Sequence, residues 1–264
     1  MKEISRNELK HKLLENINDY CMLLPFLEES YQCKKCHCYI SDTDTETFLC
    51  YIKHPDDSIA VEMNVADKDT IEVENVILSL VNNGDIDGTV YVLLYKNNNF
   101  EKNLKALFDV NDVQYYQSYY AKKSSRIIDN ISGVAFTVEV NDEMLDSSFI
   151  SQQGNHINVI RRINEEDKTN NPVIYLVIDG KVVSYIALTT QYGNLMDVSY
   201  IFTDERYRGK GYGALLCDYA KSTLSVEGKT MFYSFAENEA SERVAKKCGL
   251  EICAERYSVL CAVK

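Results

Sequence analysis

With 264 residues, 45% of them hydrophobic and 26% charged, the chain is long enough for two compact domains and too apolar for disorder. A formal net charge of −12 argues against a nucleic-acid partner, because phosphate backbones select basic surfaces; it suits a cationic acceptor or simply a well-solvated surface. No apolar run reaches the length of a bilayer span, no leader pattern opens the chain, and nine cysteines fit free thiols better than a disulfide framework, so a cytoplasmic protein without a membrane partner is expected.

The first predicted element is a helix within 6–30, carried by Leu9, Leu13, Leu14, Ile17, Tyr20, Cys21 and Leu24 and kinked or ended by Pro25. Short strands follow around Cys38–Ile40, Phe48–Ile52 and Ser58–Val65, with a polar turn over Ser41–Thr47. A helix over 69–82, with Ile71, Val76, Leu78 and Leu80 as its apolar positions, ends at Asn82-Asn83-Gly84. Then come a strand over Thr89–Tyr95, a helix over Phe100–Phe108 and a Tyr-rich strand over Val113–Tyr120.

Lys122-Lys123-Ser124-Ser125 reads as a linker, which places domains at 1–122 and 123–264. Beyond it a strand starts near Ile131 or Val134, and Asn141–Ile150 and Ile157–Ile163 read as helices before a polar loop over Glu165–Asn171. Val173–Ile178 and Lys181–Leu188, joined by Asp179-Gly180, form a two-residue hairpin. Leu195–Thr203 is a strand, 211–227 a helix, Met231–Phe235 a strand, Glu239–Lys247 a helix stopped by Gly249, and Glu251–Val263 a final strand pair. Both halves contain the order β-β-β-α-β-α-β, an echo in element order without one in residue identity.

Chemistry concentrates where the strand Leu195–Thr203 feeds Asp204-Glu205-Arg206-Tyr207 and then Arg208-Gly209-Lys210-Gly211-Tyr212-Gly213 at the start of a helix. Open backbone N–H groups, the positive end of the helix dipole and glycines that admit close approach make such a junction an anion site. Arg206, Arg208 and Lys210 add positive charge. Gly209 through Ala214 also matches the dinucleotide pattern G-x-G-x-x-A, with Glu237 ending the next strand. Five residues between Thr203 and Gly209, the preceding hairpin and the shortage of βα units count against that reading. The phosphate-loop pattern fails because no Gly-Lys-Ser/Thr closes the loop.

The segment from Arg208 to Gly213 resembles the Arg/Gln-x-x-Gly-x-Gly/Ala signature of the GNAT (Gcn5-related N-acetyltransferase) superfamily. Asn238 through Ser241, followed by a helix and Gly249-Leu250, resembles that superfamily's second cofactor segment at the right spacing. The resemblance implies an α/β (α+β) fold, a GNAT-type mixed sheet flanked by helices, and acetyl-coenzyme A as cosubstrate. It implies that Ile201, Phe202 and Thr203 pair with the pantetheine arm. Arg208, Gly209, Lys210, Gly211, Tyr212, Gly213 and Ala214 would hold the pyrophosphate. Asn238 would bond near the pantetheine or thioester, a role compatible with capping its helix. Asp197, eleven residues before Arg208, stands where histone-type members carry the catalytic base; a plain strand carboxylate is the competing reading. Ala245 replaces the Tyr that protonates the departing thiolate in many members, leaving Tyr200, Tyr233 and Tyr257 as substitutes, while Cys248 reads as packing.

The first half shows no such motif. Its corresponding junction, Asn64 through Ile71, has no glycine and carries Asp67 and Asp69, so a degenerate GNAT-like copy without a cofactor site is expected. Cys33-Lys34-Lys35-Cys36-His37-Cys38 has zinc-like spacing, with His37 or Cys50 as a further ligand, but no second C-x-x-C follows and His37 and Cys38 alternate on a strand; no metal is expected. The expected function is transfer of an acetyl group to a primary amine of a small molecule or peptide, with a non-catalytic acyl-CoA sensor or scaffold as the alternative.

Overall fold

The computed structural model describes all residues except 21, 44–45, 96–100, 121–132 and 168–169, so Cys21 and the expected linker at 122–125 lie outside the described residues. Two compact units form, one from Met1–Gln117 with Cys253–Lys264 and one from Ser118–Ile252.

In the first unit the order is β1 (Lys2–Ile4), α1 (Arg6–Leu13), α2 (Ile17–Tyr20), β2 (Lys35–Ile40), β3 (Phe48–Lys53), β4 (Ile59–Asn64), α3 (Thr70–Asn82), β5 (Thr89–Tyr95), α4 (Glu101–Leu107) and β6 (Phe108–Tyr120). Ser5 begins α1 with a capping box shared with Glu8. The expected single helix over 6–30 is instead broken after Leu13 by a 3-10 turn, and Pro25 is the second residue of another 3-10 turn over Leu24–Leu27. Val73, Ile77 and Leu80 form the buried stripe of α3, whereas Ile71 and Leu78 of the expected apolar set face solvent at 72% and 44% exposure. The helix phase is set by its buried partners on β3, β4 and β5, not by the count of apolar residues along it.

The second unit repeats that order as β7 (Val134–Thr137), α5 (Ser147–Gln153), α6 (His156–Glu166), β8 (Val173–Ile178), β9 (Lys181–Tyr192), β10 (Leu195–Thr203), α7 (Tyr212–Val226), β11 (Thr230–Ala236), α8 (Glu239–Lys247) and β12 (Glu251–Val263). Asp179 and Gly180 both take positive φ, as the tight β8–β9 hairpin requires. Leu216, Cys217, Ala220 and Leu224 turn one face of α7 into the core against β9, β10 and β11.

The strand pairing in each unit is mixed. Strands run β1-β2-β3-β4-β5 in the first unit and β7-β8-β9-β10-β11 in the second, antiparallel except for the parallel pairs β4–β5 and β10–β11. The expected final strand pair is one long strand, because 251–263 holds no Gly, Pro or Asn to turn it. From Cys253 onward β12 belongs to the first unit, where Arg256 through Ala262 pair with Tyr95 through Thr89 of β5. The end of β6 belongs in turn to the second unit, where the Ser118 hydroxyl donates to Ser234 Oγ at 3.1 Å and Tyr119 stacks on Phe235. Most of β12 thus belongs to the first unit, whereas only the last residues of β6 belong to the second.

Candidate active site

The two parallel pairs differ where a ligand would enter. In the second unit, pairing of β10 with β11 covers only Leu195–Asp197 against Thr230–Phe232. Beyond it the remaining residues of each strand run on without register partners across the gap. The cause lies on the other side of β10, where the register with β9 shifts between Val198 and Tyr200. The extra residue there, Ser199, bends β10 out of regular pairing. In the first unit β3 and β4 pair without a shift, and β4 stays on β5 from Ala60–Tyr91 to Met63–Leu94, the penultimate residue of each strand. One repeat is opened by a bulge and the other is zipped shut.

A cavity of about 490 Å³ lies along β10 beyond its last pairing with β11, between that strand, the loop before α7 and the start of α8. Ile201, Phe202 and Thr203 of β10 line one wall; Arg208, Gly209, Gly211, Tyr212, Gly213 and Ala214 line the loop and the start of α7; Asn238 closes the far side. Of the residues expected to contact the cofactor, only Lys210 is not in the wall; its ammonium sits 5.0 Å above the Tyr207 ring. Gly209 and Gly211 have φ of +77° and +86°, left-handed values that turn successive amides toward one side, and no side chain caps α7. The first-turn amides of α7 therefore face the cavity end without an intrahelical acceptor.

The loop is anchored by a residue whose role sequence reasoning missed. Asp204 is fully buried; its carboxylate accepts from the Arg206 backbone N–H at 2.9 Å, from Arg206 Nε at 3.0 Å and from Arg206 Nη2 at 2.6 Å. Arg206 also donates to Asp146 Oδ2 at 2.8 Å. The Arg206 side-chain bond, the largest influence, holds the Asp204 carboxyl below its ordinary range. Arg206 is thus committed to two carboxylates and is not the free positive charge expected of it. Arg208 folds back too, donating from Nε to the Thr203 carbonyl at 3.1 Å with its guanidinium over the Phe202 ring. Positive charge reaches the cavity from a different element: Lys247 and Arg243, four residues apart on α8, line it with Ser241 and Val244, and Arg243 is paired with Glu239 at 3.1 Å. No motif marks these two; only the helical spacing that places them with Asn238 could have found them.

Asn238 caps α8, its Oδ1 accepting from the amides of Ala240 at 3.0 Å and Ser241 at 3.1 Å, which leaves its NH2 group as the donor available to a ligand. Asp197 is half-buried at the last paired position of β10, opposite Phe232 and at the apex of the opening, but does not line the cavity. Next on β11 is Tyr233, whose hydroxyl donates to Ser241 Oγ at 2.9 Å. Burial, chiefly, pushes the Tyr233 phenol up to about 12, with the Asp197 charge adding to the rise. Tyr200 instead packs at a tilt against His156, ring centroids 4.0 Å apart, and Tyr257 lies on β12 in the first unit against Tyr115. Ala245 is fully buried in the core that packs α7, and Cys248 lies in the same core with its thiol on the Ala214 carbonyl at 3.1 Å.

At the matching junction of the first unit, Asp69 is buried at the start of α3 and accepts from the Thr43 hydroxyl at 2.8 Å. The Thr47 hydroxyl accepts from the Ala66 amide at 2.9 Å. No side chain caps α3 either, but a buried carboxylate, held by a hydroxyl of the chain, stands at this helix start where the second unit has glycines.

Residues 130–250 match the acetyltransferase (GNAT) family. No curated protein matches the chain. Among solved structures, a GCN5-related N-acetyltransferase from Sphaerobacter thermophilus is similar with a TM-score of 0.58 and 10% identity, covering 91% of this chain and 84% of that one. An acetyltransferase of the GNAT family from Colwellia psychrerythraea gives 0.57 and 10% over 100% of both chains. A tandem GNAT protein from the clavulanic acid biosynthesis pathway gives 0.52 and 11% over 99% of this chain and 97% of that one. At these identities the likeness is one of fold: a mixed α/β architecture whose neighbours extend over nearly the whole chain. Within it, residues 130–250 form an acetyltransferase domain of the GNAT family. Among the described residues no helix is long and apolar enough to cross a membrane.

Proposed function

We propose that the chain transfers an acetyl group from acetyl-coenzyme A to a primary amine of a small molecule or peptide, using the second unit alone. The cavity beside the unpaired end of β10 supports this most, because it ends on the open amides of α7 and is lined by nearly every residue the family resemblance assigns to the cofactor. The edge of β10 at Ile201–Thr203 pairs with the pantetheine arm as an added strand, and the amides from Gly209 to Ala214 take the pyrophosphate. Asn238 binds through its NH2 group, and Lys247, with Arg243 beside it, supplies the charge that Arg206 does not.

The reaction needs a neutral amine. Asp197 accepts the ammonium proton through water, the amine nitrogen bonds to the thioester carbon, and the carbon–sulfur bond breaks. A backbone N–H on the open edge of β10 stabilises the oxyanion that forms between these steps. The Ser241 hydroxyl, which accepts a hydrogen bond from Tyr233, delivers a proton to the thiolate, and the proton that the nitrogen gives up as the amide forms replaces it. An acidic protein surface favours a cationic acceptor.

Release of free coenzyme A thiol, followed across a panel of amines, tests the proposal. Amine-dependent release supports transfer; Asp197→Asn then lowers turnover by roughly a hundredfold or more at neutral pH, less at high pH where the amine arrives deprotonated, with little change in cofactor affinity. A mutant with the wild-type pH–rate profile removes Asp197 from the mechanism. The absence of hydroxyl at the buried Ala245 supports a second reading, an acyl-CoA-binding sensor or scaffold, for which no amine in the panel releases thiol although the cofactor binds.

A further inference from the structure

The first unit gathers three thiols that the acyl-transfer reading does not use. Cys38 and Cys50 are direct cross-strand partners on β2 and β3, and Cys36 lies two residues from Cys38 on the same face. The sulfurs of Cys36 and Cys38 are 3.8 Å apart, those of Cys38 and Cys50 3.7 Å, and all three lie within 4.8 Å of one another. The other residues of the Cys-rich run point elsewhere: His37 turns to the opposite face, where Nδ1 meets Glu3 Oε1 at 2.7 Å, and Cys33 Sγ accepts from Arg6 Nη1 at 3.5 Å. The sequence pair Cys33-x-x-Cys36 is therefore not the cluster; Cys50, twelve residues from Cys38, completes it.

We propose that Cys36, Cys38 and Cys50 bind one thiophilic divalent cation, zinc(II), as three thiolate ligands with a fourth position open to water. Tetrahedral coordination with zinc–sulfur bonds of about 2.3 Å places ligand sulfurs about 3.8 Å apart. Two of the three separations already have that value, and a turn of the half-buried Cys36 side chain closes the third. A disulfide needs sulfurs at about 2.05 Å, far closer than either pair. Cys50 and Cys38 are buried at 0% and 1% exposure, whereas Cys36 is half-exposed, so the ion enters and the water is held on the Cys36 side. Binding releases the three thiol protons and leaves a centre of net charge −1. The Arg6 guanidinium, within electrostatic reach of Cys36 and Cys38, balances it. A monovalent ion on the same thiolates would leave −2, which one arginine does not neutralise. Arg6 is itself fixed by the carbonyls of Phe26 at 2.7 Å, Glu28 and Tyr31, so the ion ties β2 and β3 to the loop that precedes them.

Full-length protein, reduced and freed of metal by a chelator, is titrated with cobalt(II) as an optical probe and then with zinc(II). The expected result is one equivalent of cobalt with thiolate-to-metal charge-transfer absorption and tetrahedral visible bands, displaced by one equivalent of zinc, which raises the melting temperature. Cys38→Ser and Cys50→Ser lose the bands and weaken zinc binding by at least roughly a hundredfold, beyond the losses from outer-shell changes. Cys33→Ser and His37→Ala keep both. The wild-type titration stands even where a variant fails to fold. Absence of charge-transfer bands in the wild-type protein, bands that survive loss of Cys38 or Cys50, or an oxidised Cys38–Cys50 pair formed in glutathione buffer instead of metal uptake would overturn the proposal.

Discussion

Gly211 and Gly213 are two residues apart in the same loop, yet adding one methyl group to each has opposite expected effects. Gly211 precedes α7 at φ +86°, and a Cβ there meets nothing within 4 Å. Gly211→Ala therefore involves no clash; its cost is backbone strain of about 1–2 kcal/mol for an L-residue held left-handed. That corresponds to a fall of about 2–4 °C in melting temperature per kcal/mol for a chain of this size class. Relief of the strain swings the Tyr212 and Gly213 amides away from the cavity, so acetyl-CoA affinity falls by about tenfold, roughly one charge-assisted hydrogen bond. Gly213 has ordinary helical φ, and its Cβ would lie 3.5 Å from Thr203 Oγ1 and 3.7 Å from Val244 Cγ2, both normal contacts. Gly213→Ala gains helix propensity, up to about 1 kcal/mol, and leaves affinity within about threefold. Melting curves of both variants, with calorimetric titration of acetyl-CoA, separate strain from contact. Wild-type stability and affinity in Gly211→Ala would refute the argument that a left-handed turn aims these amides.

Three further outcomes follow from the same geometry. Asp204→Asn should lower stability by about 1–2 kcal/mol near pH 7, discounted because its partner Arg206 is half-exposed. The folded carboxyl is depressed, so this stabilisation is present above the unfolded value of about 3.9 and is lost as pH falls through the folded value; denaturation midpoints of mutant and wild type should converge in that acid range. Lys247→Glu, exposed on α8 at the cavity wall, should weaken acetyl-CoA binding several-fold at low salt with little effect on melting, and binding isotherms at two ionic strengths check this. Deleting 253–264 strips β5 of its partner along Thr89–Tyr95 and should unfold the first unit, read as loss of a melting transition; an unchanged melt would mean that β12 contributes nothing there.

The cofactor wall was legible because its devices are local. Alternating glycines, a strand before them and a helix after them leave a mark within one stretch of sequence, and so do Asp179-Gly180 and the Asn238 cap. The opening itself was not legible. It depends on one unpaired residue, Ser199, and nothing about a serine in a strand announces a bulge. The placement of β12 was hidden for a related reason: its sequence suits a strand in either unit, and only its register with β5 decides. Pairing across the fold likewise decided the fate of Arg206, since Asp146 is sixty residues away in the chain. β1, three residues with a polar start, borrows its strand conformation from β2 and carries no signal of its own. Cys50 joined Cys36 and Cys38 only through the cross-strand register.

The account rests on one repeat being open to acyl-coenzyme A and the other closed. Isothermal calorimetry of the full-length protein with acetyl-CoA, and separately with NAD, tests this directly. The account predicts saturable binding of acetyl-CoA at one molecule per chain and no heat with NAD. Two molecules per chain would contradict the closed first unit, and binding of NAD without acetyl-CoA would contradict the assignment of the cavity altogether.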